Sequence, residues 1–257
     1  MTGRAFRWAL LAAWTSVTAL AAPASAQLSV AAAADLQAVL PDIGARFQRT
    51  SGHALRITFG SSGQFVSQIQ NGAPFDLFLS ADESFVRRLV ASGHADGATV
   101  APYALGRLAL WTRTDRKLDL TQGLAVLGSP TVRRIAIANP EHAPYGRAAV
   151  DALRRAGLYE QVRPRLVLGE NVSQAAQFAQ TGNADAGIIA LSLTLAPAMR
   201  TTGSAVELPQ DTFAPITQTG VVLSASRQRD AARRFLQFLL QPDIAQLLRD
   251  SGFGARP

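Results

Sequence analysis

Phe59-Gly60-Ser61-Ser62-Gly63-Gln64-Phe65 reads as a strand end that turns through two small hydroxyl residues straight into a helix. At such a junction the first backbone N–H groups of the helix have no partner inside it and point outward, so the turn is suited to receive an anion. The pattern recurs upstream. Leu28-Ser29-Val30-Ala31-Ala32-Ala33-Ala34 runs apolar into Asp35, after which Leu36, Val39, Leu40, Ile43 and Phe47 fall on one face of a helix. Two such turns close together point to an α/β protein whose site binds through uncharged donors.

The N-terminus and the composition narrow the class. Met1 to Ala26 has a basic start at Arg4 and Arg7, an apolar run from Trp8 to Ala22, and Ala24-Ser25-Ala26 as a small-x-small cleavage site. It reads as a secretory signal. A membrane anchor fits less well, because the apolar run is shorter than the roughly 20 residues a spanning helix needs and Pro23 follows it. Cleavage after Ala26 leaves 231 of the 257 residues and lowers the formal charge from +7 to +5, since Arg4 and Arg7 leave with the signal. There is no cysteine, so neither a disulfide framework nor a cysteine-ligated metal site is possible.

The positive charge is almost all arginine, with Lys117 the only lysine. It is scattered as Arg87-Arg88, Arg133-Arg134, Arg154-Arg155 and Arg233-Arg234, each in a segment that reads as helix or helix edge. These pairs lack the aromatic interleaving of a nucleic-acid groove and read as solvated faces, so nucleic-acid binding is not expected.

Helix and strand signals alternate along the mature chain. Asp76-Leu77-Phe78-Leu79-Ser80 is a short buried strand, and Asp82 caps a helix from Glu83 to Ala91 that ends at Ser92-Gly93. Arg107 to Trp111 and Arg134 to Ala138 read as strands, followed by a helix from Gly146 to Ala156. Asn171 precedes a helix carrying Val172, Ala175, Ala176 and Ala179. Ala186 to Ala190 is a buried strand, and Gly220-Val221-Val222-Leu223 is another before a helix from Asp230 to Leu240 and one opened by Pro242.

Two segments are more specific than any periodicity: Gly72-Ala73-Pro74-Phe75-Asp76-Leu77-Phe78-Leu79-Ser80-Ala81-Asp82 and Asn139-Pro140-Glu141-His142-Ala143-Pro144-Tyr145-Gly146. With Val30 to Leu36, Phe59 to Ile69 and Glu170-Asn171-Val172, they give a chain that resembles the periplasmic molybdate-binding proteins of ATP-binding-cassette importers over nearly the whole mature sequence. The resemblance implies a two-lobed, type II periplasmic-binding-protein fold with the ligand in the interlobe cleft. Lobe one is then 27–105 with 216–257, and lobe two is 106–215. It implies a periplasmic monomer without a cofactor, which captures molybdate, and tungstate with it, for an inner-membrane permease.

Molybdate is a fully deprotonated tetrahedral dianion and offers only acceptors, so it wants converging N–H and O–H donors at helix N-termini. Sulfate has the same shape but is smaller, so cavity size must discriminate. The resemblance carries ligand roles to Ser62, through its hydroxyl and amide, and to Val172, through its amide. For Ser62 the plain alternative is an N-cap, and for Val172 a place on an apolar helix face. Tyr145 stands where the family often has a small residue whose amide binds, and its side chain either caps the cleft or adds a phenolic donor.

Two positions depart from the family pattern. Asp35 stands where many members have a ligand serine. An ionised carboxylate about 4 Å from a dianion would be repelled by on the order of 8 kcal/mol at an effective dielectric near 20. The expectation is therefore that its side chain turns back to cap the helix Leu36 to Phe47, leaving an amide for the ligand. The rival is that Asp35 accepts a proton from a ligand such as hydrogen phosphate. Ala190 replaces a family tyrosine, and Ser192 is the candidate to supply the missing donor, or else a loop cap.

A secreted hydrolase is the competing class. Phe59 to Gly63 does not keep the Gly-x-Ser-x-Gly spacing about either serine, and His53, His94 and His142 form no metal-ligand spacing. Glu141 and His142 could pair as acid and base, but a role in shaping their turn is the better reading. A ligand-dependent sensor of the same bilobal shape is a third reading, since it uses the same closure.

Overall fold

The computed structural model describes residues 27–257; the signal read at 1–26 lies outside them. Two five-stranded sheets organise the chain, in the orders β2-β1-β3-β10-β4 and β7-β6-β8-β5-β9. The first half comprises β1 (Leu28–Ala33), α1 (Leu40–Ser51), β2 (Leu55–Gly60), α2 (Ser62–Gln70), β3 (Leu77–Ser80), α3 (Glu83–Ala91) and β4 (Ala101–Gly106). The middle comprises β5 (Leu108–Arg113), β6 (Ile135–Ala138), α4 (Pro144–Arg155), α5 (Tyr159–Val162), β7 (Leu166–Gly169), α6 (Val172–Gln180), β8 (Ala186–Ala190), α7 (Leu191–Thr194), α8 (Pro197–Thr202) and β9 (Gly203–Glu207). The chain then returns to the first sheet with β10 (Ile216–Val222) and closes with α9 (Arg229–Leu239) and α10 (Pro242–Asp250).

Each sheet is mixed. β1, β2 and β3 run parallel, while β10 lies antiparallel between β3 and β4. In the second sheet β6 runs parallel to β7 and β8, and β5 lies antiparallel to β8 and β9. The apolar runs explain the placement. Every residue of β1, β3, β6 and β8 is buried, as expected of inner strands covered on both faces by helices. At the sheet edge, β2 alternates in exposure along Leu55, Arg56, Ile57 and Thr58. Helices α1 and α9 cover one face, where Phe47 meets Phe235 edge-on at 5.0 Å between ring centroids.

Local signals fix the helix starts. Asp82 Oδ1 accepts the Ser84 amide at 2.7 Å, and Asn171 Oδ1 accepts the amides of Ser173 and Gln174 at 3.0 Å each. The start of α1 differs from the sequence expectation. Ala34–Leu36 closes as a single 3-10 turn, and α1 begins only at Leu40, with Pro41 in its first turn and no side-chain cap. Pro41 cannot donate into a preceding turn and is favoured at a helix start, so the apolar spacing from Leu36 to Phe47 spans two elements. Asp35 therefore does not cap that helix. Arg133 and Arg134 also differ, lying in irregular chain before β6, where both amides donate to Asp185 Oδ2.

The passages between sheets are short. The chain crosses at Gly106 to Leu108 and returns between Glu207 and Ile216. Near the first crossing, Leu105 pairs with Gly254 through both backbone groups, so the C-terminal segment is tied to this passage. Among the described residues no helix is long and apolar enough to cross a membrane.

Gly146 shows why the Pro-x-Gly segment is so specific. A Cβ at this position would stand 2.1 Å from the carbonyl oxygen of Ala138, at the end of β6. Gly146→Ala should lower the unfolding free energy by about 1–3 kcal/mol, through overpacking against backbone that cannot swing away. Urea titration followed by circular dichroism measures it, and an unchanged midpoint would contradict this packing.

Candidate functional site

Four chain segments turn into the crevice between the two sheets at the C-terminal ends of their strands. Ala33, Ala34 and Asp35 follow β1, Gly60 to Ser62 follow β2, Ala143 to Tyr145 open α4, and Asn171 and Val172 open α6; with Ala81 beyond β3 they line a narrow cavity of about 10 Å³. This is where open α/β sheets place ligands. Ser62 is the first residue of α2, Val172 the first of α6, and Tyr145 the second of α4. Their amides belong to the first-turn donors that a helix leaves without an internal partner. Three helix starts on two sheets thus direct partial positive charge at one small space.

Ser62 Oγ accepts the buried Ala81 amide at 3.0 Å, which leaves the hydroxyl proton free to donate. The cap position of α2 belongs to Ser61, whose Oγ makes no capping bond. It donates instead to the His142 carbonyl at 2.6 Å and contacts His142 Nδ1 at 3.0 Å. The same carbonyl accepts the Gly63 amide at 2.9 Å. Glu141 and His142 are thereby structural. Glu141 donates its amide to Asn139 Oδ1, and His142 clasps the start of α2 across the crevice.

Further bonds join the two sides. Gln64 Nε2 donates to Glu170 at 2.6 Å, Ser173 Oγ donates to Gln37 at 2.5 Å, and Arg147 pairs with Asp82. These contacts ring the cavity and hold a closed arrangement.

Asp35 is fully buried. Its Oδ2 accepts from Tyr145 Oη at 3.0 Å and from Gln218 Nε2 at 2.7 Å, while Oδ1 has no hydrogen-bond partner. Burial pushes the carboxyl up to about 7, against the opposing pull of Tyr145, its own amide, Gln218 and the Leu36 amide. Burial likewise raises the Tyr145 and Tyr103 phenols above their ordinary value, reinforced by Asp35.

The sequence-predicted residues separate into two groups. Asp35, Ser62, Tyr145 and Val172 all line the cavity. The Tyr145 phenol, however, is turned to Asp35. Ala190 and Ser192 are buried but do not line the cavity, and Ser192 Oγ donates to the Asp35 carbonyl at 2.8 Å, which braces the turn after β1. Gln218 and Tyr103 escaped the sequence reading. Tyr103 Oη donates to Gln218 Oε1 at 3.2 Å, which orients the amide toward Asp35. The only sign in the sequence is a glutamine between two threonines in Ile216–Val222, where polar residues hide a strand buried almost throughout.

Among the described residues no group of three or more His, Asp or Glu side chains is placed to hold a metal ion. The arrangement offers donors to a compact anion.

Comparison with known proteins agrees with this geometry. Residues 28–254 match the family model described as bacterial extracellular solute-binding protein. The chain is 40% identical over 238 residues to the molybdate-binding protein ModA of Rhodobacter capsulatus, covering 92% of each chain. It is 38% identical over 230 residues to ModA of Azotobacter vinelandii, covering 90% of each. The solved Azotobacter vinelandii periplasmic molybdate-binding protein superposes with a TM-score of 0.83 at 32% identity, over 90% of this chain and 100% of that one.

Two measurements follow from the geometry. A Cβ on Gly63 would stand 2.6 Å from the His142 carbonyl oxygen across the crevice. Gly63→Ala should therefore disfavour the closed arrangement by about 1–3 kcal/mol, seen as a larger radius of gyration of the unliganded protein in X-ray scattering; an unchanged radius would contradict the clasp. The second concerns pH. Because the folded Asp35 carboxyl sits at about 7 against 3.8 ordinarily, its contribution is fully present below 3.8 and is lost as pH rises to 7. This loss is on the order of 4 kcal/mol in the unliganded protein. Asp35→Asn should remove that slope from the difference in urea stability, and parallel profiles would refute the buried acid.

Proposed function

The chain belongs to the bacterial extracellular solute-binding protein family, and from that membership we propose that it is the periplasmic molybdate-binding component of an ATP-binding-cassette importer. It is a binding protein, not an enzyme. The observation that supports the reading is that Ser62, Tyr145 and Val172, each in the first turn of its helix, line one small cavity between the two sheets, where their amides and the Ser62 hydroxyl would serve as donors. Hydrogen bonds to a charged acceptor contribute about 1.5–3 kcal/mol each, so a few suffice for tight capture. With no cation in the lining, release needs only that the lobes part and withdraw half the donors.

The finer reading is also ours. Tungstate, of the same shape and charge, is taken with molybdate, and sulfate is held less tightly because shorter bonds to oxygen leave the donors out of reach. The mature protein starts at Gln27 in the periplasm, works as a monomer with 27–105 and 216–257 in one lobe and 106–215 in the other, and passes its cargo to an inner-membrane permease. The tie between Ser192 and Asp35 supports an indirect part for Ser192, as a brace on the turn that presents Asp35. Ala190, at the end of β8, contributes no side-chain donor.

Isothermal titration with molybdate, tungstate, sulfate and phosphate tests the assignment, with tight binding expected for the first two. Val172→Pro tests the donor set. Proline is tolerated at the first helical position and Asn171 before it is extended, so the fold is kept while one N–H is removed. The expected loss is about 10- to 100-fold in molybdate affinity. Unaltered affinity would remove the Val172 amide from the site, and preference for phosphate over molybdate would overturn the ligand.

A further inference from the structure

Asp35 is the one acidic side chain in the lining of a cavity otherwise built of small, apolar and hydroxyl residues and the Asn171 amide. Its surroundings are uneven. Both side-chain donors that reach it, Tyr145 Oη and Gln218 Nε2, go to Oδ2; the Asp35 and Leu36 amides also pull on the carboxyl, but Oδ1 is buried without a hydrogen bond. An ionised carboxylate would need donors or a cation at both oxygens to survive this burial.

The groups packed around it supply no cation. From α4 it faces Tyr145, from β10 Gln218, and beyond that Tyr103 of β4. Helices α6 and α7 carry no ionisable side chain. On β2, Arg56 is committed to Ser29 Oγ at 3.1 Å, at the far end of the strand pair. At the mouth, His142 and Glu170 face each other at 3.7 Å, and Arg147 holds Asp82.

We propose that Asp35 binds as a neutral carboxylic acid whose Oδ1 proton is donated to an oxygen of the bound oxyanion, so that capture takes up a proton. The inference rests on the molybdate reading and deepens it, since it makes uptake of the dianion depend on pH. Tyr145 and Gln218 set the orientation: by donating to Oδ2 they leave Oδ1 as the atom that carries the proton. The acid then fills the place of a hydroxyl donor, and the like-charge repulsion that an ionised carboxylate would impose does not arise. The raised proton affinity that burial gives this carboxyl agrees with the arrangement. Above its titration the site must gain a proton to accept the dianion.

Calorimetric titration of the intact protein with molybdate, in buffers of different ionisation enthalpy between pH 6.0 and 8.5, counts the protons exchanged. The proposal expects uptake approaching one proton per molybdate at the alkaline end, with affinity falling about tenfold per pH unit there. Asp35→Asn keeps a neutral donor, with its carbonyl toward Tyr145 and Gln218 and its amide at the Oδ1 position. It should bind molybdate with no proton uptake and flat affinity. Tight binding by the unaltered protein with no uptake across the range would overturn this inference alone. So would phosphate binding that strengthens with pH and exceeds that of molybdate, which would make Asp35 an acceptor. Absence of molybdate binding at every pH, including 6.0, would overturn the functional reading itself.

Discussion

Helix starts that have nowhere to send their first N–H groups are the constraint from which this protein is built. In most helices water or a capping side chain satisfies them. Here α2, α4 and α6 begin at one narrow crevice, which residues of their first turns line. The sheets make this convergence possible, because parallel strands deliver successive helix starts to the same edge. Closure of the two halves over that edge then removes the water that would compete.

The lining of small residues serves this arrangement. Ala33, Ala34, Gly60, Ala81 and Ala143 place backbone close to the cavity, and bulkier side chains there would hold a ligand away from the amides. Gly63 plays the matching part between the lobes, where α2 meets the His142 carbonyl at hydrogen-bonding distance. Asp35 is the exception in size and chemistry. It is accommodated because Tyr145 and Gln218 both donate to its Oδ2.

Much of this was legible in the sequence, for identifiable reasons. Fully apolar runs such as Ile135–Ala138 and Ala186–Ala190 announce inner strands, and Asp82 and Asn171 announce helix starts through their own side-chain chemistry. Those signals are local. The Asp35 environment is not, since Tyr145 and Gln218 lie 110 and 183 residues away along the chain and meet Asp35 only through the fold. Reading Asp35 as a helix cap followed from local rules that Pro41 countermanded. Gln218 was hidden by a strand whose polar residues look exposed and are not.

The return of β10 to the first sheet governs how the polypeptide matures. Strands β5 to β9 are contiguous, so the second sheet is complete once synthesis reaches Glu207. The first sheet waits longer. Its inner strand β10 belongs between β3 and β4, and until that strand emerges their facing edges stay unpaired. A chain made N-terminus first thus holds every strand of its second sheet before it holds every strand of its first.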